Sequence, residues 1–157
     1  GVALGCGAVV DHRAGAVKGL RAAVAGHAPD GVDCDCGYVG GKSQGAVIPL
    51  MNDFGRVAVC GLIAWYSGRN LDEGLITPAL MRKVLVSRLR VQGFIIFDFW
   101  NTYGAFRAEV APLVSKGEVA YREDVTEGLD HAPQAFLNLL EGGNFGKQLL
   151  RIGADPQ

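Results

Sequence analysis

The sequence Arg56-Val57-Ala58-Val59-Cys60-Gly61-Leu62-Ile63-Ala64 is the clearest strand of the chain. Its valines and isoleucine are β-branched, it has no charge after Arg56, and it is apolar at even and odd positions alike. Apolarity on both faces is typical of a parallel strand that helices cover on either side. We therefore expect residues 56–64 to form a central strand of a parallel sheet.

Strands and helices alternate on both sides of this stretch. Short apolar runs typical of further strands lie at 8–11, 32–37, 94–97 and 148–152. Apolar residues recur at helical spacing in five segments: 15–25, 42–51, the segment after the capping pair Thr77-Pro78, 103–116 and 132–140. This alternation predicts an α/β fold with a parallel sheet.

Length and composition limit the function classes. The 157 residues are 49% hydrophobic and 20% charged, which is typical of one globular domain and not of a disordered chain. The net charge of −1 supplies no field for steering nucleic acid or an anionic membrane surface. The longest apolar run, 57–65, is too short to span a bilayer, and no signal-peptide pattern is present. We expect a cytoplasmic protein with no nucleic-acid and no membrane partner.

The cysteines and histidines do not form a metal-binding pattern. The four cysteines stand in apolar stretches without a CxxC pair, and the three histidines are far apart in the sequence. The ligand spacings of a zinc site are therefore missing. Cysteines in such stretches are typically small buried hydrophobes. Successive side chains of a strand point to opposite faces, so Cys34 and Cys36 share one face. This permits a thiol pair, although simple packing is favoured.

Open parallel sheets bind ligands just beyond the carboxyl ends of their strands. Four segments satisfy this rule: 11–13, 37–41, 61–63 and 97–99. Arg13 directly follows a predicted strand and could accept a 2′-phosphate, or it is only a solvated surface charge. The pair Gly40-Gly41 allows either a close approach of backbone to ligand or an ordinary turn. No G-x-G-x-x-G follows a strand, so the usual phosphate cradle is not found.

Several motifs in a fixed order carry a resemblance to one family. They are Asp11-His12-Arg13, Val39-Gly40-Gly41, Pro49-Leu50-Met51-Asn52 with 55–61, 93–98, Arg122-Glu123-Asp124 and Asn144-Phe145-Gly146-Lys147. Over essentially the whole chain, the sequence resembles the zinc-independent, NADP-dependent branch of the medium-chain dehydrogenases/reductases, which includes the prostaglandin, leukotriene and alkenal reductases. Only the nucleotide-binding, C-terminal half of that family is matched.

The resemblance implies a fold and a domain boundary. We expect a Rossmann-like, doubly wound parallel sheet that is incomplete at its N-terminus. Residues 1–157 would then form one partial NADP-binding domain, and its C-terminal segment would return to a catalytic domain absent from this sequence.

The resemblance also implies which residues bind NADP(H). His12, where the family usually has tyrosine, and Arg13 are expected near the adenosine 2′-phosphate. Cys60 and Leu62 are expected to line the cofactor. Tyr66 matches a family tyrosine near the nicotinamide ribose that helps to polarise the substrate carbonyl, so it is the candidate catalytic residue; otherwise it is a packing aromatic.

Two further regions are implied in the same way. The backbone of Phe94, Ile95 and Ile96 is expected to meet the nicotinamide amide, although these residues also fit a plain core strand. Asn144 resembles a residue that closes over the cofactor, or it only forms a turn.

The stretch around Tyr38 departs from the family, which commonly has a carboxylate and an asparagine at Gly37 and Tyr38. Tyr38 is retained as a candidate cofactor-binding residue. Asp35 places a charge in a predicted buried strand, which is costly unless the charge is paired. Either Asp35 has a partner, or this strand is at the edge of the sheet, or the sequence of this stretch has degenerated from the family pattern.

The implied function is NADPH-dependent reduction of activated carbon–carbon double bonds in small-molecule enals, enones or quinones. Two alternatives stay open: a non-catalytic module that binds nucleotide weakly or only assembles, and a different nucleotide-dependent enzyme on the same sheet. An apolar strand at 94–97 without a neighbour would pair with a second copy, so we expect a homodimer.

Overall fold

Residues 56–59 form the second half of β2 (Met51–Val59), the middle strand of a three-stranded sheet. The predicted strand 56–64 is too long, because 60–64 lie beyond its end and a 3₁₀ turn begins at Ile63. The parallel neighbours of β2 are β1 (Val32–Gly37) and β3 (Arg90–Gly93). This computed structural model describes residues 5–13, 15–66, 68, 71 and 77–154. The predicted α/β class with parallel strands is confirmed.

The chain divides into two compact units, Cys6–Gly104 and Ala105–Gln157. Besides the sheet, the first unit contains the helices α1 (Val17–His27), α2 (Gly41–Val47) and α3 (Thr77–Val86). The elements that follow are α4 (Tyr103–Ser115), β4 (Glu123–Glu127), α5 (Ala132–Glu141) and β5 (Lys147–Arg151). The assignment of both units to one nucleotide-binding domain stays a prediction.

The core of the first unit lies against β2. Its buried members are Ile48, Met51, Val57 and Leu89, and partly buried side chains of β1, β2, α2 and α3 pack around them. Full burial of one such aliphatic side chain stabilises a fold by about 1.5–3 kcal/mol. This cluster therefore holds the helices on the sheet and positions the ends of its strands.

Helix α2 ends earlier than the predicted segment 42–51. A 3₁₀ turn, Ile48–Leu50, follows the helix, and Met51 already belongs to β2. Pro49 has no N–H and cannot donate to the carbonyl of Gly45. That carbonyl instead accepts a hydrogen bond from the Arg21 guanidinium at 3.0 Å, which ties α1 to α2.

The strand predicted at 8–11 is not formed, and this expectation is wrong. These residues have irregular backbone, and Val9 is exposed. A strand satisfies its backbone groups only through a neighbouring strand. Among the described residues no strand pairs with this run, and β1 lies at the edge of its sheet.

The strand predicted at 94–97 is also wrong. The strand precedes this run, at Arg90–Gly93, and a 3₁₀ helix, Ile96–Thr102, follows. β3 pairs with β2 only as far as Val59↔Gly93, where β2 ends. Beyond that point the apolar run has no strand to pair with, and Phe97 is 74% exposed.

The second unit contains a parallel pair of strands, β4 and β5, in register from Glu123↔Lys147 to Glu127↔Arg151. β5 was expected at 148–152, but β4 was not predicted as a strand. With three acidic residues and one valine, its sequence lacks a strong apolar signal. The pairing instead depends on contacts distant in sequence, such as Phe145 N–H donating to the Asp124 carboxylate at 2.9 Å.

Within the described part of the chain, no helix is both long and apolar enough to cross a bilayer.

Candidate functional site

A groove opens where β2 and β3 end side by side. Parallel pairing brings Val59 and Gly93 into register, so the segments that follow them leave the same edge of the sheet. The groove has a volume of about 470 Å³. Its lining residues are Val59, Cys60, Gly61, Leu62, Tyr66, Gly93, Phe94, Ile95 and Asp98. We call it the strand-end groove.

Backbone hydrogen bonds fix the first wall of the groove. The N–H of Cys60 donates to the carbonyl of Gly37 at 2.8 Å, which continues the ladder with β1 for one residue. The N–H groups of Ile63 and Ala64 then donate to the carbonyls of Tyr38 and Val39 at 3.1 and 2.9 Å. The segment after β2 is therefore held against the segment after β1.

The pair Gly40-Gly41 allows this packing. Gly40 has φ +75° and ψ −155°, a region that only glycine adopts without strain. A Cβ on Gly40 would lie 2.9 Å from the Trp65 ring. Gly40 therefore allows its own backbone to pack closely against the side chain of Trp65.

Tyr66 presents its hydroxyl in the groove. The hydroxyl oxygen accepts a hydrogen bond from the Leu62 N–H at 3.4 Å. A Cβ on Gly61 would approach the same oxygen to 3.0 Å, so the glycine leaves space for it. Because the oxygen is the acceptor, the hydroxyl hydrogen is available to donate to a ligand. The side chain is 69% exposed, which makes it accessible to one.

The second wall follows β3. The N–H of Phe94 donates to the Val59 carbonyl at 3.4 Å. The N–H of Ile95 donates to the Asp98 carboxylate at 3.1 Å, and the Asp98 N–H donates back to the Ile95 carbonyl at 2.9 Å. Asp98 was not among the predicted site residues. The spacing of a carboxylate three residues into a helical turn is a capping pattern that could have indicated its role.

Five of the predicted site residues meet in the strand-end groove: Cys60, Leu62, Tyr66, Phe94 and Ile95. Tyr38 lines a neighbouring cavity of about 180 Å³, to which Leu62 also contributes. Ile96 begins the 3₁₀ helix and does not line the groove.

His12 and Arg13 are not among the lining residues of the groove. Both are exposed in the segment before α1. Arg13 forms an ion pair with Asp11 at 3.1 Å, and this hydrogen bond holds the pKa of the Asp11 carboxyl below its usual value. Asn144 lies in the second unit, where its amide donates to the Gly146 carbonyl at 2.7 Å.

Asp35 lines the 180 Å³ cavity beside Tyr38. Among the described residues β1 is an outer strand of its sheet, which is one of the three alternatives left open. Within the described residues, no hydrogen bond or ion pair to its carboxylate is found. Burial raises the pKa of Asp35 above its ordinary value.

The cysteines are exposed, so the expectation that they are buried is wrong. The Cys34 sulfur accepts a hydrogen bond from the Arg56 guanidinium at 2.9 Å. The Cys36 sulfur lies 3.6 Å from the Cys60 sulfur. The close thiol pair is therefore Cys36 with Cys60 and does not include Cys34.

The lining of the strand-end groove suits an uncharged ring and its ribose. It combines apolar and aromatic side chains with the Tyr66 hydroxyl and the Asp98 carboxylate, and no basic residue is among the described residues that line it. A planar, uncharged ring suits such a mostly apolar lining. Phosphate groups would need cations outside the groove. The residues present therefore fit the nicotinamide end of a dinucleotide.

Known proteins resemble this chain over most of its length. No protein-family model matches it. The chain is 43% identical over 129 residues to an NADPH-dependent curcumin reductase of Escherichia coli, covering 81% of this chain and 37% of that protein. It is 38% identical over 136 residues to an NADP(+)-dependent 2-alkenal reductase of Nicotiana tabacum, covering 87% and 38%.

A solved structure agrees with these relatives. CurA of Vibrio vulnificus in complex with NADPH superimposes with a TM-score of 0.86 at 38% identity, covering 96% of this chain and 44% of CurA. The resemblance inferred from the sequence motifs is confirmed. The chain spans less than half the length of each of these three proteins.

We expect Asp35→Asn to stabilise the protein at neutral pH. Because burial raises the pKa of Asp35, protonation favours the folded state, and this stability is lost as pH rises through the raised pKa. Thermal unfolding should therefore give a higher Tm for the variant at pH 7. The difference should vanish near about pH 3, where the wild-type carboxyl is also neutral.

The exposed Asp130→Asn is the matched control and should show no such pH-dependent gain. A variant Asp35→Asn that is less stable than the wild type at pH 7 would mean that the charge has a stabilising partner.

Proposed function

Since this chain is homologous over most of its length to NADPH-dependent reductases of the zinc-independent medium-chain family, we propose that it forms the cofactor-binding part of such a reductase. The substrates that we propose are small molecules with an activated carbon–carbon double bond: enals, enones or quinones. The cofactor is NADP(H), which supplies the hydride when bound. The observation that carries the proposal is the hydroxyl of Tyr66 in a groove at the strand ends whose other lining is mostly apolar.

Tyr66 is the proposed hydrogen-bond donor to the substrate carbonyl. Negative charge develops on that oxygen as the double bond is reduced, and a preorganised donor lowers the energy of this state. The Leu62 N–H donates to the Tyr66 oxygen, which leaves the hydroxyl hydrogen free to donate. Phe94 and Ile95 contribute apolar surface beside it.

The remaining candidates are proposed to bind other parts of the cofactor. Arg13, with His12 beside it, would hold the 2′-phosphate by exchanging the Asp11 carboxylate for a phosphate oxygen. The backbone at Ile96 would extend the nicotinamide site, and Tyr38 would contact the cofactor from the neighbouring cavity. Asn144 would cover the cofactor.

We propose a cytoplasmic location for this reductase. The thiols of Cys34, Cys36 and Cys60 are all exposed and free. Exposed thiols persist where the compartment is reducing, as the cytoplasm is.

Tyr66→Phe should reduce turnover far more than it weakens cofactor binding. In the full-length protein, NADPH oxidation with an enal, an enone and a quinone would be followed by absorbance. Loss of one donor to a developing oxyanion lowers kcat about 100-fold. We expect that decrease with little change in the affinity for NADPH measured by calorimetry.

Tyr121→Phe, another exposed tyrosine, is the matched control and should retain full activity. Wild-type protein that binds NADPH but reduces none of the three substrate classes would support the non-catalytic alternative. Wild-type protein that neither binds NADPH nor oxidises it would exclude the reductase and leave the module that only assembles.

We also propose a homodimer. β3 is an outer strand of its sheet and all four of its residues are exposed. An outer strand has unpaired backbone groups that can pair with a second copy. The strand that we propose to pair with a second copy is therefore β3, whereas the sequence had indicated the run 94–97.

Light scattering at micromolar concentration should give twice the monomer mass. Val91→Pro should abolish the dimer, because proline has no backbone N–H to donate. A wild-type monomer under these conditions would contradict the proposal.

A further inference from the structure

The geometry points to a modification site that the proposed reaction does not use: we propose that Cys36 and Cys60 form a reversible disulfide on exposure to a hydroperoxide. Their sulfurs lie 3.6 Å apart, so they must approach by about 1.5 Å to reach the length of a disulfide bond.

The backbone already holds the two residues together. Cys36 is in register with Ala58, two residues before Cys60. The Cys60 N–H donates to the carbonyl of Gly37 at 2.8 Å, so this segment still runs beside β1. The two thiols are thus 24 residues apart in sequence but lie on neighbouring segments, two positions out of register.

Both sulfurs can be reached by a small oxidant. Cys36 and Cys60 are exposed, and each lines a different opening. Cys36 contributes to the 180 Å³ cavity beside Tyr38, and Cys60 contributes to the strand-end groove.

Cys36 is the thiol that reacts first. Desolvation and the hydrogen bond with Cys36 raise the pKa of the Cys60 thiol, which therefore keeps its proton. Either thiol can be the donor between the two sulfurs, and the Cys60 S–H also faces the Ala58 carbonyl at 3.7 Å. Because Cys60 keeps its proton, Cys36 is the assigned nucleophile in its deprotonated form.

The reaction is balanced as follows. The Cys36 thiolate attacks one oxygen of the hydroperoxide, the O–O bond breaks, and Cys36 becomes a sulfenic acid while an alcohol or water leaves with one proton. The Cys60 sulfur then attacks the Cys36 sulfur, the S–O bond breaks, and hydroxide leaves with the Cys60 proton as water. Two thiols have lost two protons and two electrons, and the hydroperoxide has been reduced. A dithiol reverses the change.

Cys34 provides a matched comparison within the same strand. It lies two residues before Cys36 on the same face of β1. Its sulfur accepts a hydrogen bond from Arg56, the residue opposite it in β2. Cys34 is therefore an exposed thiol of the same strand whose sulfur is held by Arg56 and not by a second thiol, and Cys34→Ser should not affect the disulfide.

The test is mass spectrometry of the reduced full chain after treatment with hydrogen peroxide. Cleavage after lysine and arginine places Cys34 and Cys36 in peptide 22–42 and Cys60 in peptide 57–69. Wild type and Cys34→Ser should lose about 2 Da and yield these two peptides linked, and a dithiol should separate them. Cys36→Ser and Cys60→Ser should give no link.

A wild-type chain without the link, or a link that persists in Cys36→Ser, would overturn the proposal. The wild-type measurement does not depend on any substitution, so it tests the proposal even if a variant fails to fold.

Cys60 also lines the groove assigned to NADPH, and this consequence rests on the proposed function. Bound NADPH should slow formation of the link at least several-fold. An unchanged rate with NADPH present would contradict the location of the cofactor, whereas the presence or absence of the link without NADPH tests the disulfide alone.

Discussion

The parallel pairing of β2 with both of its neighbours is the constraint on which the rest of the first unit depends. β2 stops at Val59, and β3 stops opposite it at Gly93. Because parallel strands end on the same edge, the two following segments diverge there and leave the strand-end groove between them. On the other side of β2, one further hydrogen bond from Cys60 to Gly37 brings the segments after β1 and β2 together. A shift of this register would separate Tyr66 from Phe94 and Cys60 from Cys36.

Local patterns predicted the elements whose form depends on their own sequence. The uncharged run after Arg56, the helical spacing in α1 and α5, and the alternation that gives parallel strands could all be recognised without knowing the fold, although the strand ends at Val59 and not at Ala64. The strands at 8–11 and 94–97 were misassigned because apolarity alone does not supply a neighbour. Whether such a run forms a strand depends on which strands lie beside it in the folded sheet.

The same distinction applies to the site. The family resemblance selected Cys60, Leu62, Tyr66, Phe94 and Ile95, and the sheet brings all five to one groove. Asp98 was missed because its role is to bind the Ile95 N–H, which no feature of the family motif indicated. The spacing of Cys34 and Cys36 suggested a thiol pair within one strand. The observed pair joins two segments, since only the register between β1 and β2 places Cys36 beside Cys60.

Hydrogen exchange in the presence and absence of NADPH tests the location of the cofactor most directly. The account predicts slower exchange on NADPH addition at the amides of 60–66 and 93–98, which form the two walls of the groove. Unchanged exchange in both segments, with NADPH bound or with protection confined to other parts of the chain, would contradict it.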